Sequence, residues 1–210
     1  MRLGFLHIEV SSPLMYRELA KRMLRSVRQS MPGIEVVQMT DTRTPAIPDV
    51  DDLIAIRTDG LEFAPFRLRH LSLFEGEGIF LDTDVIVKRD LRDAFLDKFD
   101  IGLTKRDYPI YGRQTGANLT ERMPYNTGVM FSRNPVFFEE AYLYSETLPK
   151  EEQQWFGDQL AIAHVAGQKN YDIKEFNCEE WNRVPVRQDD FGKAYAVHYK
   201  GEKRKAWMLA

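Results

Sequence analysis

The sequence is short of cysteine, of long apolar runs and of excess positive charge, and each shortage removes a class of protein. Cys178 is the only cysteine, so no disulfide forms within the chain and a reducing compartment is expected. No stretch approaches the ~20 apolar residues that cross a bilayer as a helix. The opening MRLGFLHIEV is interrupted by His7 and Glu9 too early to act as a secretory leader. A net charge of −3 argues against a nucleic-acid partner, whose footprint is usually basic; the local exception is YKGEKRK, Tyr199 to Lys205. Asn118-Leu119-Thr120 has the form of a glycosylation acceptor, which without a leader reads as chance. A soluble, cytoplasmic protein is the expectation.

What is present suits one globular unit. With 210 residues, 43% of them hydrophobic and 29% charged, the chain can bury one good core, and residues 1–210 read as a single domain. LGFLHIEV predicts a first strand over Leu3–Val10, with Ser11 or Ser12 capping a helix that opens at Pro13. Leu14, Leu19, Met23, Leu24 and Val27 recur at helical spacing up to the Pro32-Gly33 stop. Strands follow at Ile34–Met39 and Leu53–Arg57, a helix in FAPFRLRHLSLFE, and a strand in GIFL. Further on, Asp100–Thr104 and Asn126–Arg133 read as strands, Pro135–Leu148 and Phe156–Gly167 as helices, and Lys105–Tyr125 as a long loop of the kind that shapes binding sites. This alternation predicts an α/β fold with a mostly parallel central sheet flanked by helices. Ligands of such sheets lie beyond the carboxyl ends of the strands.

At that edge stands GIFLDTDVIV, in which Asp82 and Asp84 close an apolar strand. Two carboxylates so close repel each other and gain nothing from apolar neighbours, so a positive partner is implied. A turn at Thr83 would let both approach one hard divalent cation such as Mn²⁺ or Mg²⁺, which also binds diphosphates. An isolated Asp-x-Asp can equally be a solvated strand-end turn.

The flank decides between these. RLRHLSLFEGEGIFLDTDVIV resembles the stretch around the Asp-x-Asp (DXD) motif of the metal-dependent nucleotide-sugar glycosyltransferases of GT-A fold. NTGVMFSR resembles their sugar-pocket segment, FGDQLAI their Asp-Gln helix start, and HYKGEKRKAW the H-x-x-G-x-x-K-P-W ending of the retaining glycosyltransferase family 8 (glycogenin and bacterial galactosyltransferases). The ending here is one residue longer and has Ala206 in place of proline, which leaves Lys203 and Lys205 as alternatives for the family lysine. The helix before the aspartates also resembles family 32, where an arginine reaches the donor; Arg67 and Arg69 both have suitable spacing. The resemblance implies a glycosyltransferase acting on a nucleotide-sugar donor, UDP-sugar by family tendency, and on a glycosyl acceptor that the sequence does not specify, with retention. It implies Asp82, Asp84 and His198 as metal ligands, Asp82 at the ribose, and Gly201, Lys203 or Lys205, and Trp207 on the diphosphate side. It places Asn126, Asp158 and Gln159 at the transferred sugar.

The first motif of haloacid-dehalogenase-type phosphatases is the alternative for IFLDTDVIV, with Asp82 as nucleophile and Asp84 as acid. That motif normally opens its domain and needs a downstream acidic pair, which GDQLAIA lacks. His7, His70, His164 and Cys178 carry no motif and read as structural.

Overall fold

The structure, a computed structural model, describes residues 1–9, 13–57, 60–112, 116–154 and 156–210; the expected serine cap at Ser11 or Ser12 lies outside them. Nine strands and six α-helices are labelled in chain order. They are β1 (Arg2–Leu6), α1 (Pro13–Ser30), β2 (Glu35–Asp41), β3 (Asp52–Ile56), α2 (Phe63–Ser72), β4 (Gly78–Leu81), β5 (Val85–Val87) and β6 (Ile101–Lys105). Then come β7 (Tyr125–Ser132), α3 (Val136–Thr147), α4 (Gly157–Gly167), β8 (Ile173–Asn177), α5 (Cys178–Trp181), β9 (Ala196–His198) and α6 (Glu202–Leu209).

Seven strands form one sheet in the order β3-β2-β1-β4-β7-β6-β8. The ladders are parallel except for β7, which runs antiparallel to both β4 and β6. The alternating pleat divides the core. Leu3, Phe5, Val36, Ile79, Leu81, Val129 and Phe131 share one buried cluster with Leu19, Met23, Leu24 and Val27 of α1. Val37, Met39, Phe80, Leu103 and Met130 face α2, α3 and α4. Burying a side chain such as Phe80 or Phe131 contributes about 1.5–3 kcal/mol, so this two-faced core carries most of the fold's stability.

The first strand is shorter than its apolar run suggests. The His7 N–H still donates to the Met39 carbonyl of β2 (2.9 Å), and beyond it the Glu9 N–H donates to the Thr44 hydroxyl (2.9 Å). Three features escape the sequence pattern. Strand β8 closes one edge of the sheet. Strands β5 and β9 form a separate two-stranded ladder pairing Val85 with His198. The charged C-terminal segment is the helix α6, anchored on α1 through buried Met208 and through Arg22, which donates to the Met208 carbonyl (2.6 Å).

Candidate metal centre

The parallel strand β4 ends at Leu81, and Asp82 follows with its N–H still bonded to the Gly128 carbonyl of β7 (3.0 Å). The chain then turns, the Val85 N–H reaching back to the Asp82 carbonyl (3.2 Å). That turn at Thr83 brings the two carboxylates round one point instead of leaving them along a strand. The β5–β9 ladder adds the third group: pairing Val85 with His198 sets the imidazole beside the turn, with Nε2 3.2 Å from Asp84 Oδ1 and 3.6 Å from Asp82 Oδ2. One ligand atom from each of Asp82, Asp84 and His198 lies within 4.8 Å of the others. Two carboxylate oxygens and one imidazole nitrogen, converging at a strand end, make a donor set that suits Mn²⁺ or Mg²⁺, with the nitrogen favouring Mn²⁺.

The ring fits there because residue 128 is glycine. A Cβ on Gly128 would stand 2.3 Å from His198 Cε1 and Nδ1. The other ring nitrogen, Nδ1, faces the side-chain oxygen of buried Asn182 at 3.1 Å.

Cations surround the acidic pair. Lys205, buried on α6, points its ammonium at Asp84 Oδ2 (3.3 Å) and at the Tyr16 hydroxyl (3.1 Å). Burial alone would push the Asp84 carboxyl up, but a doubly protonated His198 ring, together with Lys205, outweighs it and holds the group well below the usual carboxylate range. Asp82 goes the other way. Enclosure by protein raises its carboxyl, Asp84 and Asp158 add to the rise, and Arg67 and a protonated His198 oppose it. Its side chain is still 32% exposed, so it is the member of the pair that opens outward.

Arg67, buried on α2, binds this pair to the next element. Its guanidinium donates to Asp82 Oδ1 (2.8 Å), to Asp158 Oδ2 (2.7 Å), and to the carbonyl (2.8 Å) and hydroxyl (3.2 Å) of Thr127. Burial works against its charge, and the two aspartates more than compensate. Asp158 lies in the first turn of α4, where its second oxygen, Oδ1, is buried with no hydrogen-bond partner among the described residues. Gln159 beside it accepts from Arg106, a buried arginine that also donates to the carbonyls of Met123 (2.7 Å) and Tyr125. Lys200 lies near the same group: burial and Arg106 lower its ammonium, while Asp82, Asp158 and Asp84 oppose them.

The structure thus brings Asp82, Asp84, His198, Arg67, Asp158 and Lys205 into one connected cluster, with Gln159 beside it. Asn126 is close, but its amide is spent on the protein: Nδ2 donates to the Tyr108 hydroxyl (3.1 Å) and Oδ1 accepts from the Gly128 N–H (3.2 Å). Gly201 stands at the start of α6 with φ 87°, in the left-handed region that favours glycine. Three expected residues lie apart from the cluster. Arg69, two positions beyond Arg67, is carried round the helix and lies over the Tyr142 ring of α3. Lys203 is exposed and sits over the Trp207 ring, and Trp207 itself packs partly against the core. The thiol of Cys178 is buried beneath Asn126 and pushed up to about 12 chiefly by that burial.

Asn182, Arg106 and Tyr16 lie outside the motifs read from the sequence, whereas Thr127 and Gly128 lie within NTGVMFSR and Lys200 within HYKGEKRKAW, with no role of their own assigned there. Among the described residues no helix is long and apolar enough to cross a membrane.

No family model matches the sequence, and no curated protein does. Solved structures do match. The chain is similar to the galactosyltransferase LgtC, solved with donor and acceptor sugar analogues, at 15% identity and TM-score 0.61 over 96% of this chain and 87% of that one. It is similar to the apo form of the glycosyltransferase GlyE of Streptococcus pneumoniae TIGR4 at 15% identity and TM-score 0.63, covering 99% of this chain but 59% of GlyE. A glycosyltransferase involved in glycosylation of the major capsid of PBCV-1 matches end to end, 100% of each chain, at 12% identity and TM-score 0.59. Likeness at such identities is a likeness of fold, and the fold of this chain is the GT-A glycosyltransferase fold.

Proposed function

We propose that the chain is a metal-dependent glycosyltransferase that moves a sugar from a nucleotide-sugar donor, UDP-sugar by its resemblance to family 8, to an acceptor hydroxyl with retention. The observation that carries this reading is the convergence of Asp82, Asp84 and His198 within 4.8 Å, at the strand edge where a GT-A sheet holds its ligand. A divalent cation held by these three would supply positive charge against the diphosphate as the bond to the sugar breaks.

The remaining roles belong to the chain's own groups. Asp82, the more exposed carboxylate, is placed to meet the donor ribose as well. Lys205 holds Asp84 ionised and is the better placed of the two candidate lysines to balance the diphosphate, because Lys203 is turned away over Trp207. Gly201 allows close backbone approach at the positive end of α6. Asp158 and Gln159 are assigned to the transferred sugar, and Asp158 Oδ1, without a partner among the described residues, is free to accept a hydrogen bond from a sugar hydroxyl. Arg67 serves this arrangement from behind, setting the spacing of Asp82 and Asp158, and its hydrogen bonds are already committed to protein groups. Asn126 likewise supports the pocket through Gly128.

Thermal melting tests the site without knowledge of the acceptor. UDP with Mn²⁺ should raise the melting temperature more than either alone, since a ligand that binds only the folded state stabilises it by mass action. Asp84→Asn should abolish that synergy. A wild-type protein indifferent to the combination, and to Mn²⁺ with other nucleoside diphosphates, would rule the reading out.

A further inference from the structure

We propose that Asn182 is a positioning residue for His198: its side-chain oxygen holds the ring proton on Nδ1 and thereby presents Nε2 to Asp82 and Asp84 as the metal-binding atom. The inference rests on the reading of this cluster as a metal centre and deepens it.

The orientation of the Asn182 amide follows from its neighbours. Asn182 is fully buried just after α5, and one end of its amide lies 3.1 Å from the backbone carbonyl of Asn126 and 2.8 Å from Thr104 Oγ1. A carbonyl oxygen only accepts, so the end facing it must be the NH₂. The Thr104 hydroxyl agrees, because its own proton is given to the same Asn126 carbonyl (2.6 Å) and its oxygen is left to accept from Asn182. With NH₂ fixed on that side, Oδ1 must face His198 Nδ1 at 3.1 Å. An amide oxygen cannot donate, so the proton between them belongs to Nδ1.

The consequence falls on the opposite side of the ring. A neutral imidazole has one N–H and one lone pair. With the proton held at Nδ1, the lone pair is on Nε2, which points at Asp84 Oδ1 (3.2 Å) and Asp82 Oδ2 (3.6 Å). Metal-binding histidines are commonly held by a second hydrogen bond of this kind, which fixes tautomer and ring angle. Here the holding group is anchored to Thr104 of β6 and Asn126 of β7, so the metal ligand on β9 is tied to the end of the central sheet. The Asn182 backbone is fixed as well: its N–H donates to the Cys178 carbonyl (2.9 Å), and its carbonyl accepts from Cys178 Sγ (3.3 Å).

Two measurements test this. Nitrogen-15 NMR of histidine-labelled, metal-free protein, recorded at alkaline pH where a single ring proton remains, should show His198 protonated at Nδ1. Protonation at Nε2 would overturn the proposal whatever the variants do. Mn²⁺ titration followed by the electron paramagnetic resonance of the free ion should then show a roughly 10–100-fold weaker affinity in Asn182→Leu. Asn182→Asp keeps an acceptor for Nδ1 while losing donation to Thr104 and Asn126. It should melt lower than wild type yet keep the tautomer and bind Mn²⁺ within about threefold, a split that a merely structural role would not produce. A folded Asn182→Leu protein that binds Mn²⁺ as tightly as wild type would overturn the proposal. If wild type itself fails to bind Mn²⁺, the metal reading falls, and the tautomer still decides the role of Asn182.

Discussion

The Cα of Gly128 lies so close beneath the imidazole of His198 that a methyl group built on it would stand 2.3 Å from Nδ1. Gly128 is buried in the middle of β7, so the strand cannot retreat without disturbing both its ladders. Gly128→Ala must push the ring off its place between Asn182 and the aspartates. Overpacking of this kind costs about 1–3 kcal/mol, which for a chain of this size lowers the melting temperature by roughly 2–12 °C. Mn²⁺ binding should weaken at the same time, and calorimetry on one sample reads both. An alanine variant with wild-type melting and wild-type Mn²⁺ affinity would mean that the ring does not need that space.

Arg67 is the second test. Its planar fork reaches Asp82, Asp158 and Thr127 together, which the single ammonium of lysine cannot do. Arg67→Lys keeps the charge and leaves one buried carboxylate short of its partner. A loss of about 2–4 kcal/mol is expected, toward the cost of an uncompensated buried charge. Turnover should drop more than tenfold as Asp82 and Asp158 move apart. Chemical denaturation and donor turnover, measured side by side, check the two effects, and neither should survive at its wild-type value.

Asp82 links stability to pH in the metal-free protein. Folding raises its carboxyl above the ordinary value, about 3.9. The folded state therefore binds this proton more tightly than the unfolded chain. The stabilisation is full below the ordinary value and is lost as pH rises through the raised one. At neutral pH the ionised Asp82 is thus a cost. Asp82→Asn, whose amide oxygen can still accept from Arg67, should melt higher than wild type at pH 7 in chelator. Saturating Mn²⁺ should reverse the order, because only wild type gains the binding energy. A lower melting temperature for the variant in chelator would show that the ionised carboxylate is not a burden.

Much of this arrangement was legible before the structure. Gly78–Leu81 reads as a strand because its apolar residues stop abruptly at two carboxylates, and α1 reads as a helix because Leu19, Met23 and Val27 keep helical spacing. Strands β5 and β9 have three residues each, too few for a period to appear, although their ladder brings His198 to Asp84. The direction of β7 is not encoded in its composition, since a strand buried on both faces looks alike either way. Helix α6 reads as a charged tail because its burial rests on Lys205 and Met208 with partial cover of Trp207. Asn182 gives no local signal at all. Its partners Thr104, Asn126 and His198 lie on three strands far apart in sequence, and only the folded sheet edge brings them together.

The central claim is that Asp82, Asp84 and His198 hold a cation that helps a nucleoside diphosphate leave. Release of nucleoside diphosphate from a panel of nucleotide sugars, with Mn²⁺ or with chelator, in wild type and Asp84→Ala, tests it most directly, since slow donor hydrolysis needs no acceptor. The account predicts release from one donor that requires Mn²⁺ and falls at least a hundredfold in the variant, about 2.7 kcal/mol of transition-state stabilisation. Release that persists in chelator or in Asp84→Ala, or phosphatase activity on a simple phosphoester in place of donor turnover, would contradict it.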